Sequence, residues 1–119
     1  MTKPTAPVTP NTWNFLRDPM IVPTGFREYD ARWKYPDEIN LPGITALGLG
    51  LATQMHARGI DPVIAVANDY RDYSLSIKNA LMLGLMQGGV QVKDIGPAVS
   101  PMAYFSQFHL DVPAGAMVT

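Results

Sequence analysis

The sequence contains no cysteine, which excludes a disulfide framework, thiolate nucleophiles and cysteine-based zinc sites. A reducing compartment fits that composition, and the expected location is the cytoplasm. Charge is sparse as well: nine Lys and Arg against ten Asp and Glu leave a formal net charge of −1. No basic run disturbs that balance, so neither nucleic acid nor an anionic membrane surface is an expected partner. Long hydrophobic runs are missing. No window approaches the ~18 apolar residues of a transmembrane helix, and the start lacks the apolar stretch and small-residue site of a signal peptide. The two histidines, His56 and His109, are too far apart for a helical i, i+4 metal pair. The glycines of "PGITALGLGLAT" form neither a phosphate loop nor a dinucleotide fingerprint, and no Gly-x-Ser-x-Gly elbow occurs.

What is present suits one domain: 119 residues can bury a core of their own. Residues 1–24 read as an arm and irregular lead-in, with Pro and Thr first and then apolar residues broken by Pro19 and Pro23. Residues 25–119 read as the folded domain. "GFREYDARW" (25–33) alternates aromatic and charged residues like a short strand. Residues 43–58 have helical spacing, with Ile44, Leu47, Leu51 and Met55 on one stripe and Gly59 as a stop. Gly48 and Gly50 weaken that helix by about 1 kcal/mol each relative to alanine, tolerable where a neighbour must approach closely. "PVIAVAND" is a strand with both faces covered. Ser74 is an expected N-cap for a helix from Leu75 to about Gln87, apolar nearly all round. "VQVKDIG" is a third strand, Ser100-Pro101 opens a helix to about His109, and "AGAMVT" is a fourth strand.

The alternation of strands and helices predicts a three-layer α/β/α sandwich around a four-stranded, largely parallel or mixed sheet. Ligands of such sheets bind beyond the carboxyl ends of the strands: here residues 30–33, 68–73, 96–100 and whatever follows Thr119. Two of these ends carry charge. In "REYDARW", Arg32 offers a planar fork to a phosphate or carboxylate and Tyr29 a hydrogen bond, unless the residues simply pair with one another on a charged edge. In "ANDYRDYS", Asp69 and Arg71 either position an acid and a cation or cap the turn. "GPAVSPMAYF" presents a helix N-terminus, read more simply as a cap. No self-sufficient active site is visible.

Four segments, in order, resemble the first domain of the α-D-phosphohexomutases, the phosphomannomutase/phosphoglucomutase family. "FREYDAR" is similar to Phe-Arg-x-Tyr-Asp-Ile-Arg-Gly, and "VIAVANDYRDYS" to Val-x-Val-Gly-x-Asp-x-Arg-x-x-Ser. "ALMLGLMQGGVQVKDIGPAVSPMAYF" resembles the Gly-Leu…Gly-x-x-Val-x-Asp-x-Gly…Ser-Pro run, and "AGAMVT" the strand leading into Ala-Ser-His-Asn-Pro. The resemblance implies a mutase that interconverts hexose 1-phosphate and hexose 6-phosphate through a phosphoserine and a bisphosphorylated sugar. It makes Arg32 the support of the phosphoryl site, Tyr29 a substrate-cleft residue, and Asp69 and Arg71 structural motif positions. It also implies Mg²⁺ and a hexose 1,6-bisphosphate activator for the complete enzyme, neither held by this chain. The expected partners are a phosphosugar and the remaining mutase domains or a complementing chain. The nucleophilic serine falls beyond Thr119, so this chain alone is expected to be inactive. Ala31 and Trp33 depart from the family's isoleucine and glycine. Trp33, with the missing serine, motivates the alternative of a free-standing, non-catalytic binding module.

Overall fold

A computed structural model of the chain describes residues 12–13 and 17–119. Most of the expected arm, residues 1–11 and 14–16, lies outside the described residues. After a single 3₁₀ turn at Pro23–Gly25, three helices alternate with three strands: α1 (Leu41–Ala57), β1 (Val63–Asn68), α2 (Ser74–Gln87), β2 (Gln91–Pro97), α3 (Ser100–His109) and β3 (Ala114–Val118). The sheet order is β2-β1-β3, and β1 pairs in parallel with both neighbours. The first crossover moves to one side of β1 and the second crosses back over it. Right-handed connections therefore place α2 and α3 on opposite faces.

The expected four-stranded, largely parallel (mixed) sheet is corrected in strand number: among the described residues it has three strands, all parallel. The missing strand is residues 25–33. They fold back as a tight hairpin, with one bridge between Phe26 and Ala31, Arg27 N–H donating to Asp30 O at 2.9 Å and Arg32 N–H to Gly25 O at 2.8 Å. Every side chain from Phe26 to Arg32 is exposed. With no buried face, alternation has nothing to fix a strand in the sheet.

Helix α1 begins two residues before the expected start because Pro42 fits a first turn, where its missing N–H costs nothing. Its cap is Asn40, fully buried, whose Oδ1 accepts from Gly43 N–H at 2.8 Å and from Met20 N–H at 2.9 Å. One carboxamide thus caps the helix and fastens the lead-in. The buried stripe runs through Ile44, Gly48, Ala52 and Met55, while Leu51 is exposed. The small residues face α2: a Cβ on Gly48 would meet Leu81 O at 2.3 Å, and one on Gly84 would meet Thr45 O at 1.9 Å. Gly50 has open space instead. Ile64 and Val66 of β1 join this α1–α2 core, together with Ile21 of the lead-in and Ile39 just before α1.

Two caps differ from expectation. Ser74 is the first residue of α2, after Tyr73, and its hydroxyl is turned back to Asp69. Ser100 likewise lies inside α3, after Val99, with no side-chain cap at that end. Helix α3 buries its small residues Ala103 and Ser106 and leaves Tyr104, Phe105 and Phe108 in solvent. Apolar surface of that kind drives association. The isolated chain should self-associate at high concentration by light scattering, and Phe105→Ser with Phe108→Ser should reduce the apparent mass.

Candidate functional site at the carboxyl edge of the sheet

In a sheet ordered β2-β1-β3 the chain reverses direction across the sheet between β1 and β3, and ligand crevices form beyond the carboxyl ends at such a switch point. Two connections, β1–α2 and β2–α3, and the end of β3 meet this edge. Asn68 is opposite Pro97 on one side and Val118 on the other. Ala98 N–H donates to Asn68 O at 2.8 Å and Asp69 N–H to Val118 O at 2.9 Å, so both loops are sewn to the central strand.

The β1–α2 turn is organised by Asp69. Its Oδ1 accepts from Ser74 Oγ and, at 3.2 Å, from Arg71 N–H, while Oδ2 pairs with the Arg71 guanidinium. Desolvation of the carboxylate alone would raise its pKa. The bonds from Ser74 and from the Arg71 backbone and side chain outweigh it and hold Asp69 below the ordinary carboxylate value. The Arg71 guanidinium, held more firmly protonated by Asp69, also lies 5.6 Å from the centre of the Tyr70 ring. Asp69 and Arg71 are thus spent on each other and on the turn.

Tyr29 stands at the tip of the hairpin formed by residues 25–33, 92% exposed. Arg32 closes the same hairpin, its side chain 77% exposed, with Nε and Nη2 both 2.9 Å from Asp30 Oδ2. That pair orients the fork without burying it. Trp33 is turned inward: its indole N–H donates to Val22 O at 2.7 Å, its ring meets Phe26 edge-on at 5.1 Å, and a Cβ on Gly25 would strike it. Next along the chain, Tyr35 packs against Tyr73 at 5.9 Å between ring centres. Tyr73 immediately precedes α2, so the segment bearing Arg32 is fastened beside the β1–α2 turn. Burial raises the Tyr35 pKa.

Two residues here escaped the sequence. Lys78 is 2% exposed, and its Nζ donates to Asp94 Oδ1 at 2.7 Å, a contact that joins α2 to β2. The same Oδ1 accepts from Gly96 N–H at 2.9 Å, where β2 carries a bulge and Gly96 a φ of +81°. Lys78, the single charged residue of α2, was the available signal. The second is Asn68, at the end of the buried strand.

Among the described residues no group of three or more His, Cys, Asp or Glu could hold a metal ion. Of the acidic side chains near this edge, Asp30, Asp69 and Asp94 are each paired with a cationic side chain. No helix among the described residues is long and apolar enough to cross a membrane.

Residues 23–119 match the family described as phosphoglucomutase/phosphomannomutase, alpha/beta/alpha domain I. A phosphohexose mutase of Xanthomonas campestris pv. campestris is 36% identical over 94 residues, covering 79% of this chain and 20% of that protein. A phosphomannomutase of Escherichia coli is 34% identical over 96 residues, 81% of this chain and 20% of its own length. A phosphomannomutase/phosphoglucomutase of Pseudomonas aeruginosa is 31% identical over 94 residues, 79% of this chain and again 20% of the relative. The chain therefore spans about a fifth of the length of these curated relatives. With an α/β/α arrangement and a match over 23–119, the chain belongs to the phosphoglucomutase/phosphomannomutase family, as its domain I.

Proposed function

We propose that this chain is the first domain of a phosphohexomutase, an intramolecular phosphotransferase acting on a hexose phosphate, with residues 25–119 as the domain and 1–24 as its lead-in. The match over residues 23–119 carries the reading. In the longer enzyme, polypeptide leaving β3 supplies a phosphoserine at the β1–β3 switch point. Its phosphoryl group passes to the free hydroxyl of a hexose 1- or 6-phosphate. The bisphosphorylated sugar reorients and returns its other phosphoryl group to the serine. Arg32, exposed and oriented by Asp30, stabilises charge on the phosphoryl oxygens, and Tyr29 lines the substrate cleft. Asp69 and Arg71 hold the turn beside it. Magnesium and a hexose 1,6-bisphosphate activator belong to the complete enzyme, with the metal held outside this chain. The site of action is the cytoplasm. Trp33 packs on Val22 and Phe26, which weakens one of the two motives for a free-standing, non-catalytic module.

Mutase turnover with glucose 1-phosphate or mannose 1-phosphate and a bisphosphate activator tests this. The longer polypeptide should turn over and the 119-residue chain should not. Arg32→Ala in the longer enzyme should lower kcat on the order of 100-fold, the scale of losing one preorganised donor to a developing anion. Turnover by the isolated chain would overturn its inactivity, and an unchanged kcat in the variant would remove Arg32 from the phosphoryl site.

A further inference from the structure

One buried polar atom at the exit of the central strand has no hydrogen-bond partner among the described residues. Asn68 is 4% exposed, and its Oδ1 meets no hydrogen-bond donor among the described residues. The other end of the carboxamide is committed, with Nδ2 donating to the Asp69 carbonyl at 3.0 Å. That contact fixes which end is which, because only the NH₂ can face a carbonyl oxygen. By strand alternation Asn68 lies on the same face as Ile64 and Val66, directly beside Val118 of β3.

The β1–β3 ladder gives this arrangement a meaning. Asp69 N–H donates to Val118 O. Bonds in a parallel pair are evenly spaced, so the next would bring the N–H of the first residue beyond Thr119 onto the Asp69 carbonyl. The Asn68 NH₂ stands on that carbonyl instead. A displaced amide needs another acceptor, and the opposite end of the same carboxamide is a buried acceptor without a donor.

We propose that Asn68 is a positioning residue for the polypeptide that leaves β3. Its NH₂ ends the β1–β3 ladder, and its Oδ1 accepts the displaced backbone N–H, turning the chain out over the switch-point crevice. The proposal rests on reading this chain as the first part of a longer mutase, in which that polypeptide carries the phosphoryl group. Asn68 itself touches no reacting atom.

Amide hydrogen exchange in the longer polypeptide tests it, with Asn68→Ala and Asn68→Asp beside the wild type. The first amide beyond Thr119 should exchange at least about tenfold faster in Asn68→Ala, while the Asp69 amide, bonded to Val118, keeps its protection. Asn68→Asp retains an acceptor and should keep that amide slow. Should alanine also expose the Asp69 amide, the aspartate variant decides: a slow amide supports the proposal and a fast one overturns it. An amide unprotected in the wild type, or unchanged by alanine, overturns it as well. In the same preparations, kcat with hexose phosphate should fall about tenfold in Asn68→Ala at unchanged KM. Absence of any wild-type turnover would sink the mutase reading and leave the exchange result standing.

Discussion

Replacing Gly84 with alanine is expected to destabilise the fold by about 3 kcal/mol, the upper end of the usual penalty for overpacking. On an exposed helix the same change would stabilise by about 1 kcal/mol, because alanine is the better helix former. Here the new Cβ would lie 1.9 Å from Thr45 O and 2.8 Å from Leu49 N, which are backbone atoms of α1 and cannot rotate away. The helices must separate, and the core side chains Ile44, Ala52, Leu81 and Leu85 lose contact with one another. Gly48→Ala attacks the same contact from the other helix, its Cβ 2.3 Å from Leu81 O. The double variant should fall short of the sum, since the first methyl already opens the gap. Gly50→Ala is the control. Gly50 is exposed with nothing near its Cβ, so that variant should gain up to about 1 kcal/mol. Urea midpoints of the four variants check the series, and a neutral Gly84→Ala would refute backbone contact between α1 and α2.

The same glycines show what the sequence could and could not reveal. Helical spacing around Ile44 and Met55 located α1, and the possibility of a close neighbour at Gly48 was legible. The buried face, however, turns toward Gly48 and Ala52 and leaves Leu51 outside. Apolar periodicity follows side-chain size, whereas this contact selects residues for having almost none. Strand β1 was readable because a run buried on both faces is continuously apolar, whereas β2 and β3, only partly buried, were readable as short runs between turn and helix signals. Residues 25–33 misled for the opposite reason: their alternation is genuine, but the hairpin they form packs through Trp33 alone. Ser74 looked like a cap and is a donor to Asp69, a distinction set by the turn geometry and not by residue type. At the site, Tyr29, Arg32, Asp69 and Arg71 were nameable as single residues. The fastening of their segments through Tyr35 on Tyr73, and the Asn68 carboxamide, depend on contacts between distant parts of the chain.

Removing the Asp94 carboxylate should cost about 3 kcal/mol, the low end of the range for breaking a buried ion pair because Asp94 itself is 48% exposed and water can reach the gap. Asp94→Ala leaves the Lys78 ammonium inside the fold without the carboxylate it pairs with and frees the Gly96 N–H at the β2 bulge. Lys78→Met removes the charge at similar volume and should cost much less. Combining Lys78→Met with Asp94→Ala should therefore recover most of the loss, a coupling that a purely local effect on the bulge would not give. Acid offers an independent check. The hydrogen bond from Lys78 lowers the Asp94 pKa most, burial opposes it, and the Gly96 amide and the Lys78 charge add to the lowering. A carboxyl depressed on folding contributes stability above its unfolded value near 4 and loses it as pH falls through the folded value. Asp69 is depressed as well, but it is present in both proteins and cancels between them. The stability difference between wild type and Asp94→Ala should thus be full at neutral pH and shrink as the pH drops below about 4. A difference that stays constant down to pH ~2, below the whole ordinary carboxylate range, would show that the loss comes from packing and not from the charge facing Lys78.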